Sequence, residues 1–270
     1  MEKLYNYILQ KESDIGLLRE SNEDSVLALV HPEDDSLKIL AVADGMGGKE
    51  YGDVCSNYVT RKFGEWFLEK NKEFFSNPLK IRDELLKLTY ECNDYFISFF
   101  GKNIVGTTLT LAIILNKETI ILHLGDSRCY FYKDNILTQV TEDDSDVWLY
   151  HKFQGIKKEW LRYFSSSNII NNCIGISKDS CKPHIYIYSN DEYNTLLLTT
   201  DGVTDLVMDN KIRSILGQDI KRASKVLINE AVNVDQHLFI PSELKNYSYD
   251  YYLVPVRGRD NASVVLFSKI

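Results

Sequence analysis

Cysteine is scarce and unpatterned. The five residues, Cys55, Cys92, Cys129, Cys173 and Cys181, form no Cys-x-x-Cys pair and are odd in number. That argues against a zinc ribbon or a disulfide framework and for reduced thiols. Glycine and proline number only 14 and 5 in 270 residues, too few for a collagen-like or Pro/Gly-rich disordered chain. No apolar run reaches the ~18 residues of a membrane span. The opening Met1-Glu2-Lys3-Leu4-Tyr5-Asn6 lacks the apolar stretch of a signal peptide, so a cytoplasmic protein without membrane contact is expected. Positive charge is in deficit: 31 Lys and Arg stand against 39 Asp and Glu, for a net charge of −8. A nucleic-acid partner is not expected, because phosphate backbones need clustered Lys and Arg. No period of 20–50 residues repeats, which argues against solenoids and propellers.

What remains is ordinary globular material, 44% hydrophobic and 26% charged. The length allows one large or two small domains at about 150 residues each, with enough chain to bury a core unaided. Apolar runs predict strands over Ser25–Val30, Leu37–Ala43, Thr107–Leu115, Thr119–Leu124 continuing in Cys129–Tyr132, Asn194–Thr199 and Ala262–Phe267. Three-to-four spacing of apolar residues predicts helices over Asp53–Asn71, Leu79–Phe100 and Ala223–Val232. Strand runs joined by hairpins point to antiparallel sheets with helices packed outside, an α+β architecture. Residues 142–190 show weak periodicity and read as an insertion or lid rather than as core. The aromatic stripe Tyr95, Phe96, Phe99 and Phe100 reads as helix core, and His123 as a packed residue.

Acidic residues recur where strands meet loops. Asp24 opens a strand, Asp44-Gly45-Met46-Gly47-Gly48 and Gly125-Asp126-Ser127-Arg128 follow two others, Asp201-Gly202 follows a fourth, and Asp260-Asn261 opens the last. Each Asp-Gly alone reads as a turn. Together, on one sheet edge, such carboxylates would repel one another unless a cation joined them. Hard oxygen ligands without His or Cys nearby favour Mg²⁺ or Mn²⁺ over zinc. The glycines after Asp44 allow close backbone approach, which lets the Gly45 carbonyl serve as a ligand as well. The phosphate-loop spacing is missing from Gly45–Lys49.

In this setting, Gly16-Leu17-Leu18-Arg19-Glu20-Ser21-Asn22-Glu23-Asp24 resembles the opening motif of the PPM (type 2C) metal-dependent Ser/Thr protein phosphatases. Asp44-Gly45-Met46-Gly47-Gly48, Val105-Gly106-Thr107-Thr108, Gly125-Asp126-Ser127-Arg128, Thr200-Asp201-Gly202 and Asp260-Asn261 follow in family order, from about Asp14 to Ile270. The Asp-Gly-Met-Gly-Gly form is similar to the bacterial branch. The resemblance implies a central antiparallel β-sandwich flanked by helices, one domain over 1–270, with a flap at about 142–190. It implies Mn²⁺ or Mg²⁺ at two tight sites and a third weaker one. Carried over by position, Asp44 would bridge two metals, Gly45 would offer its carbonyl to the second, and Asp201 and Asp260 would hold the first. Asp24 would act through a bound water. Asp126 would share the weaker site with Asp201, and Arg19 would hold the substrate phosphate. Taken alone, Arg19 reads as a surface ion pair with Glu20 or Glu23; the phosphate role comes from the string around it. Phosphorylated proteins are the implied substrates, with a Ser/Thr kinase and its targets as partners. Dephosphorylation of a sigma-factor regulator and a phosphoprotein-binding scaffold without turnover are the rival readings.

The sequence departs from the family in four places, the mildest being Ser263 where Thr is usual. Met46 stands where animal relatives carry a His proposed as general acid, and Met cannot donate a proton. Asp144 stands where bacterial members commonly show His. Residues 233–256, rich in Tyr, look like an insert that could contact a partner or pack on its own domain. The flap, with Trp148, Tyr150, His151, Phe153, Lys157, Lys158, Trp160 and Arg162, offers an aromatic and basic surface that suits a phosphopeptide and equally suits ordinary packing.

Overall fold

The computed structural model describes residues 7–47, 51–101, 103–233, 244 and 259–270. The described elements are β1 Tyr7–Asp14, β2 Asp24–His31, β3 Asp34–Met46, α1 Gly52–Glu69, α2 Pro78–Phe100, β4 Gly106–Thr107, β5 Leu109–Ile114, β6 Glu118–Leu124, β7 Arg128–Lys133 and β8 Ile136–Gln139. They continue with α3 Asp146–Gln154, β9 His184–Ser189, β10 Thr195–Thr199, α4 Asp201–Thr204, α5 Asp209–Gln218, α6 Ala223–Val232 and β11 Ala262–Lys269.

Two antiparallel sheets face each other. One runs β1-β11-β10-β7-β8, the other β2-β3-β5-β6-β9 with β4 added to β3. Alternation along each strand explains the layers, because successive side chains point to opposite faces. On β3, Leu40 and Val42 turn inward with Ile121, Leu198, Val265 and Phe267 to form the core between the sheets. Ile39 and Ala41 turn outward against Phe63 and Phe67 of α1 and Leu85 and Phe96 of α2. Across the molecule, Leu197, Val264 and Leu266 meet Ile212 and Ile215 of α5 and Leu227 and Ala231 of α6. Strands covered on both faces read as continuous apolar runs, which is why these strands were visible in the sequence.

The start of α2 follows its local chemistry. Asn77 caps it by accepting from the Lys80 N–H, Pro78 occupies the first turn, and Gly101 ends it at φ 64°. The aromatic stripe divides: Phe96 and Phe100 are buried, while Tyr95 and Phe99 are exposed. The expectation that all four are core is corrected: Phe96 and Phe100, four apart, share the inner face, while Tyr95 and Phe99, also four apart, share the face one residue round the helix.

Three further expectations change. The stretch Thr107–Leu115 is broken at Thr108 into β4 and β5. The run expected to continue from Leu124 into Cys129–Tyr132 crosses between sheets, with β6 in one and β7 in the other. The lid stretch 142–190 contributes β9, paired in register with β6 from Glu118↔Ser189 to His123↔His184. Its half-exposed alternation leaves no apolar run in the sequence, because an edge strand lacks a buried run. The insert over 233–256 lies outside the described residues except for Asn233 and Leu244. Among the described residues no helix is long and apolar enough to cross a membrane, and all five cysteines are free and buried.

Candidate metal centre

Antiparallel pairing brings the acidic motifs to one end of the sandwich. Asp24 at the start of β2 is the direct register partner of Asp44 near the end of β3. The start of β5 pairs with the end of β6 through Leu109↔Leu124, which places the Gly125-Asp126 turn at the same end. In the other sheet Thr199, at the end of β10, pairs with Val264 near the start of β11 and with Arg128 at the start of β7. Asp201 and Asp260 therefore emerge there too.

Tight backbone packing holds each acid. The Asp44 N–H donates to Thr108 Oγ1 at 2.9 Å, and its carbonyl accepts from the Thr108 N–H at 2.9 Å and from Thr107 Oγ1 at 2.9 Å. The Gly-Thr-Thr turn is thus a cradle for the Asp44 backbone rather than a pair of nucleophiles. The Gly45 N–H donates to the Glu23 carbonyl at 3.0 Å, and a Cβ on Gly45 would lie 2.1 Å from the Gly52 carbonyl oxygen. Asp-Gly at 201–202 has a similar cause: a Cβ on Gly202 would lie 1.9 Å from the Asn261 carbonyl oxygen. Both glycines are required by close approach, not by turn chemistry alone. Asn261 fastens the entry loops, accepting from the Glu23 N–H at 2.8 Å and donating to the carbonyls of Ile15 and Ser21.

The electrostatics are those of an uncompensated acid cluster. Asp24 and Asp126 are buried, and Asp44 and Asp201 are half-buried. Burial pushes Asp24 up to about 7, with the charge of Asp260 adding and the hydrogen bonds from Ser263 and Thr200 opposing. Burial pushes Asp126 up to about 7, with Asp143 and Asp205 adding. Burial raises Asp44, and the charges of Asp24, Asp260 and Asp126 raise it further. Burial likewise raises Asp201, aided by Asp44, Asp126 and Asp260. One carboxylate oxygen on each of Asp24, Asp126 and Asp201 is buried with no hydrogen-bond partner among the described residues. Buried carboxylate oxygens normally have partners, so three orphans in one cluster fit an all-oxygen site for a hard divalent cation.

Asp260 and Arg19 are arranged differently. Arg19 Nη2 donates to Asp260 Oδ2 at 2.7 Å, and its Nη1 lies 4.0 Å from Glu23 Oε2. The two side chains are 44% and 33% exposed, so this is a solvent-facing pair at the mouth of the cluster. Among the described residues no group of three or more His, Cys, Asp or Glu side chains stands close enough together to hold a metal ion as they are placed. The donor set is present, and Asp260 is turned toward Arg19.

Several residues at this end carried no role in the sequence reading. Arg128 is buried and forks onto Asp143, with Nε to Oδ1 at 2.9 Å and Nη2 to Oδ2 at 2.6 Å. An Arg opening an apolar strand is the signal that a buried acid must answer it. Asp205, one turn after Asp201, is pushed up to about 6 by burial, against the opposing charges of Arg162 and Arg128. Arg162 belongs to the flap, whose aromatic and basic residues suit a peptide surface and ordinary packing equally. It is packed inside, with Nη1 donating to the Asp205 carbonyl at 2.8 Å. It lines one small pocket together with Asp126, Asp201 and Asp205. Asp144 accepts from the Gly125 N–H at 3.0 Å, from Asn172 at 2.7 Å and faces His184 Nε2 at 3.0 Å. His123 is packed as expected, against Thr110 Oγ1 and the Glu142 carbonyl.

Comparison with known proteins places these features in context. A family model described as Protein phosphatase 2C matches residues 19–233. The serine/threonine phosphatase stp of Listeria monocytogenes is 30% identical over 259 residues, covering 95% of this chain and 94% of the relative. The crystal structure of the serine/threonine phosphatase Stp1 from Staphylococcus aureus superposes with a TM-score of 0.78 at 25% identity, covering 96% of this chain and 94% of that one. The catalytic domain of the phosphatase PstP, solved with two manganese ions, shares the fold with a TM-score of 0.70 at 24% identity, covering 97% of each chain.

Proposed function

The chain belongs to the protein phosphatase 2C family, and from that premise we propose that it hydrolyses phosphoserine and phosphothreonine on proteins with the help of divalent cations held by its acid cluster. The observation that carries the reading is the set of buried, partnerless carboxylate oxygens on Asp24, Asp126 and Asp201. Manganese is bound by one protein of the same fold, and Mn²⁺ or Mg²⁺ is the cation this donor chemistry favours.

Asp44, Asp201 and Asp260 with the Gly45 carbonyl would hold two cations, and Asp126 with Asp201 a third, weaker one. Bound cations supply the positive charge that activates a water and neutralises phosphoryl oxygens. The protein's own part is positional. Thr107 and Thr108 fix the Asp44 backbone, and Asn261 fixes Glu23 and, through it, Gly45. Asp24 stands opposite Asp44 with one oxygen held by Thr200 Oγ1 at 2.9 Å and the other free to orient a water. Arg19, at the mouth, exchanges Asp260 for the phosphate dianion, which an Arg fork grips at two oxygens. Met46 donates no proton, so the leaving group takes its proton from solvent. A single domain with the flap beside this site completes the reading. The physiological partners it implies are phosphorylated proteins, with a Ser/Thr kinase acting upstream on them.

The test is hydrolysis of p-nitrophenyl phosphate and of a phosphothreonine peptide with added Mn²⁺, with Mg²⁺ and with EDTA. Turnover of both with Mn²⁺ and none in EDTA is the expected result. Full turnover in EDTA overturns the metal assignment, and binding of the peptide without turnover overturns the catalytic reading in favour of a scaffold.

A further inference from the structure

Leu244 is the described residue between Asn233 and Arg259, and it is fully buried. Its neighbours belong to the flap: it joins Val147, Trp148, Ile156, Leu161, Tyr163 and Phe164 in one apolar cluster, apart from the three larger cores. It stands in the chain between α6, which ends at Val232, and β11, which starts at Ala262 in the sheet that does not contain β9. The family-model match stops at residue 233, so this contact lies outside the matched part of the chain. A cluster this small has little apolar area to spare, and one Leu among seven residues is a large share of it.

What the cluster holds is specific. Leu161 and Tyr163 flank Arg162 in the 3₁₀ helix Lys158–Tyr163. Arg162 turns the other way, into the pocket lined by Asp126, Asp201 and Asp205. Its Nη1 is bound to the Asp205 carbonyl at 2.8 Å, and its buried Nε has no partner among the described residues. A guanidinium held there is a built-in positive charge beside carboxylates that otherwise await a cation.

We propose that Leu244 is a positioning residue of the flap: it completes the flap's apolar cluster and, through Leu161 and Tyr163, keeps Arg162 in the acidic pocket, where it competes with the most weakly bound cation. The competition rests on the metal reading above, while the anchoring of the flap does not. Released from its seat, the flap withdraws Arg162, and the pocket binds a divalent cation more tightly.

The experiment uses the full chain as Leu244→Ala, Leu244→Met, Arg162→Ala and the Leu244→Ala/Arg162→Ala double variant. Hydrogen exchange without metal reads the anchor. In Leu244→Ala the peptides spanning 146–167 should exchange about ten-fold faster or more while β10 stays unchanged, and Leu244→Met should restore protection. Calorimetric titration with Mn²⁺ reads the consequence. The weakest site should tighten about three-fold or more in Leu244→Ala, and the double variant should match Arg162→Ala. Unchanged flap exchange, or equal acceleration in β10, overturns the anchor. A shift of the same size in the Arg162→Ala background overturns the route through Arg162. Neither readout depends on turnover, so loss of phosphatase activity in the parent protein would fall on the functional reading alone.

Discussion

Two buried charged groups sit at the same end of the sandwich and are built on opposite principles. Arg128 and Asp143 form a closed pair: three charge-assisted hydrogen bonds join them, and Gln139 Nε2 adds a fourth to Asp143 at 2.9 Å. Asp24, Asp44, Asp126 and Asp201 form an open group, in which each acid raises or is raised by a neighbour and three oxygens lack partners. The pair costs desolvation and recovers it internally. The open group recovers it only when a cation arrives. The difference teaches that burial of charge alone does not mark a site; burial without compensation does.

The sharpest way to break this contrast is Asp44→Asn. Removing charge from the centre of the open group should lower kcat/KM for p-nitrophenyl phosphate by about 10³-fold or more, since several kcal/mol of lost charge stabilisation is that many decades of rate. Its folded stability without metal should not fall. A loss under about ten-fold would dissolve the distinction between the groups.

Arg128→Met should do the reverse. It leaves Asp143 buried and unpaired, which costs about 3–5 kcal/mol of stability, measured by urea unfolding and equal in EDTA and in Mn²⁺. Dependence of that cost on the metal would mean that the two groups act as one.

Acidity sharpens the comparison further. Asp24 and Asp126 have folded values pushed up to about 7, above those of the unfolded chain. Their contribution to stability is therefore present at low pH and is lost as pH rises through about 7. The metal-stripped protein should be more stable at pH 5.5 than at pH 8, by on the order of 2 kcal/mol, and Mn²⁺ should reverse the trend. A flat profile in EDTA would contradict the open group.

The smallest effect on the fold belongs to the mouth. Arg19→Ala removes a solvent-facing pair worth about 1 kcal/mol or less, so stability should barely change. KM for p-nitrophenyl phosphate should rise about five- to ten-fold, as a charge-assisted fork is lost. Unchanged kinetics would return Arg19 to the role of a surface partner of Asp260.

Legibility followed burial. Strands covered on both faces, such as β3, β5 and β10, announced themselves as apolar runs, and the long helices α1 and α2 by their period. The edge strands β8 and β9 did not, because half their side chains meet solvent and their patterns resemble loops. The short flap helix α3 was hidden for the same reason: few of its residues are buried. At the site, Asp24, Asp44, Asp126, Asp201 and Asp260 were visible as residues at strand ends, whereas Asp143 and Asp205 were not. Nor were the pairings. Nothing local in the sequence pairs Arg19 with Asp260, Arg128 with Asp143 or Arg162 with the carbonyl of Asp205.

The sequence by itself determined which chemistry this protein carries. Short motifs of Asp and Gly carry it, because a carboxylate and a residue without a Cβ are needed at particular backbone positions, and such needs are local. Tertiary structure alone decided which charges are answered and which are left open. That choice depends on residues brought together across two sheets and a flap, and on the low dielectric they create around one another. It also decided the place of Leu244, an unremarkable leucine in the chain that becomes, by burial, part of the flap's small core.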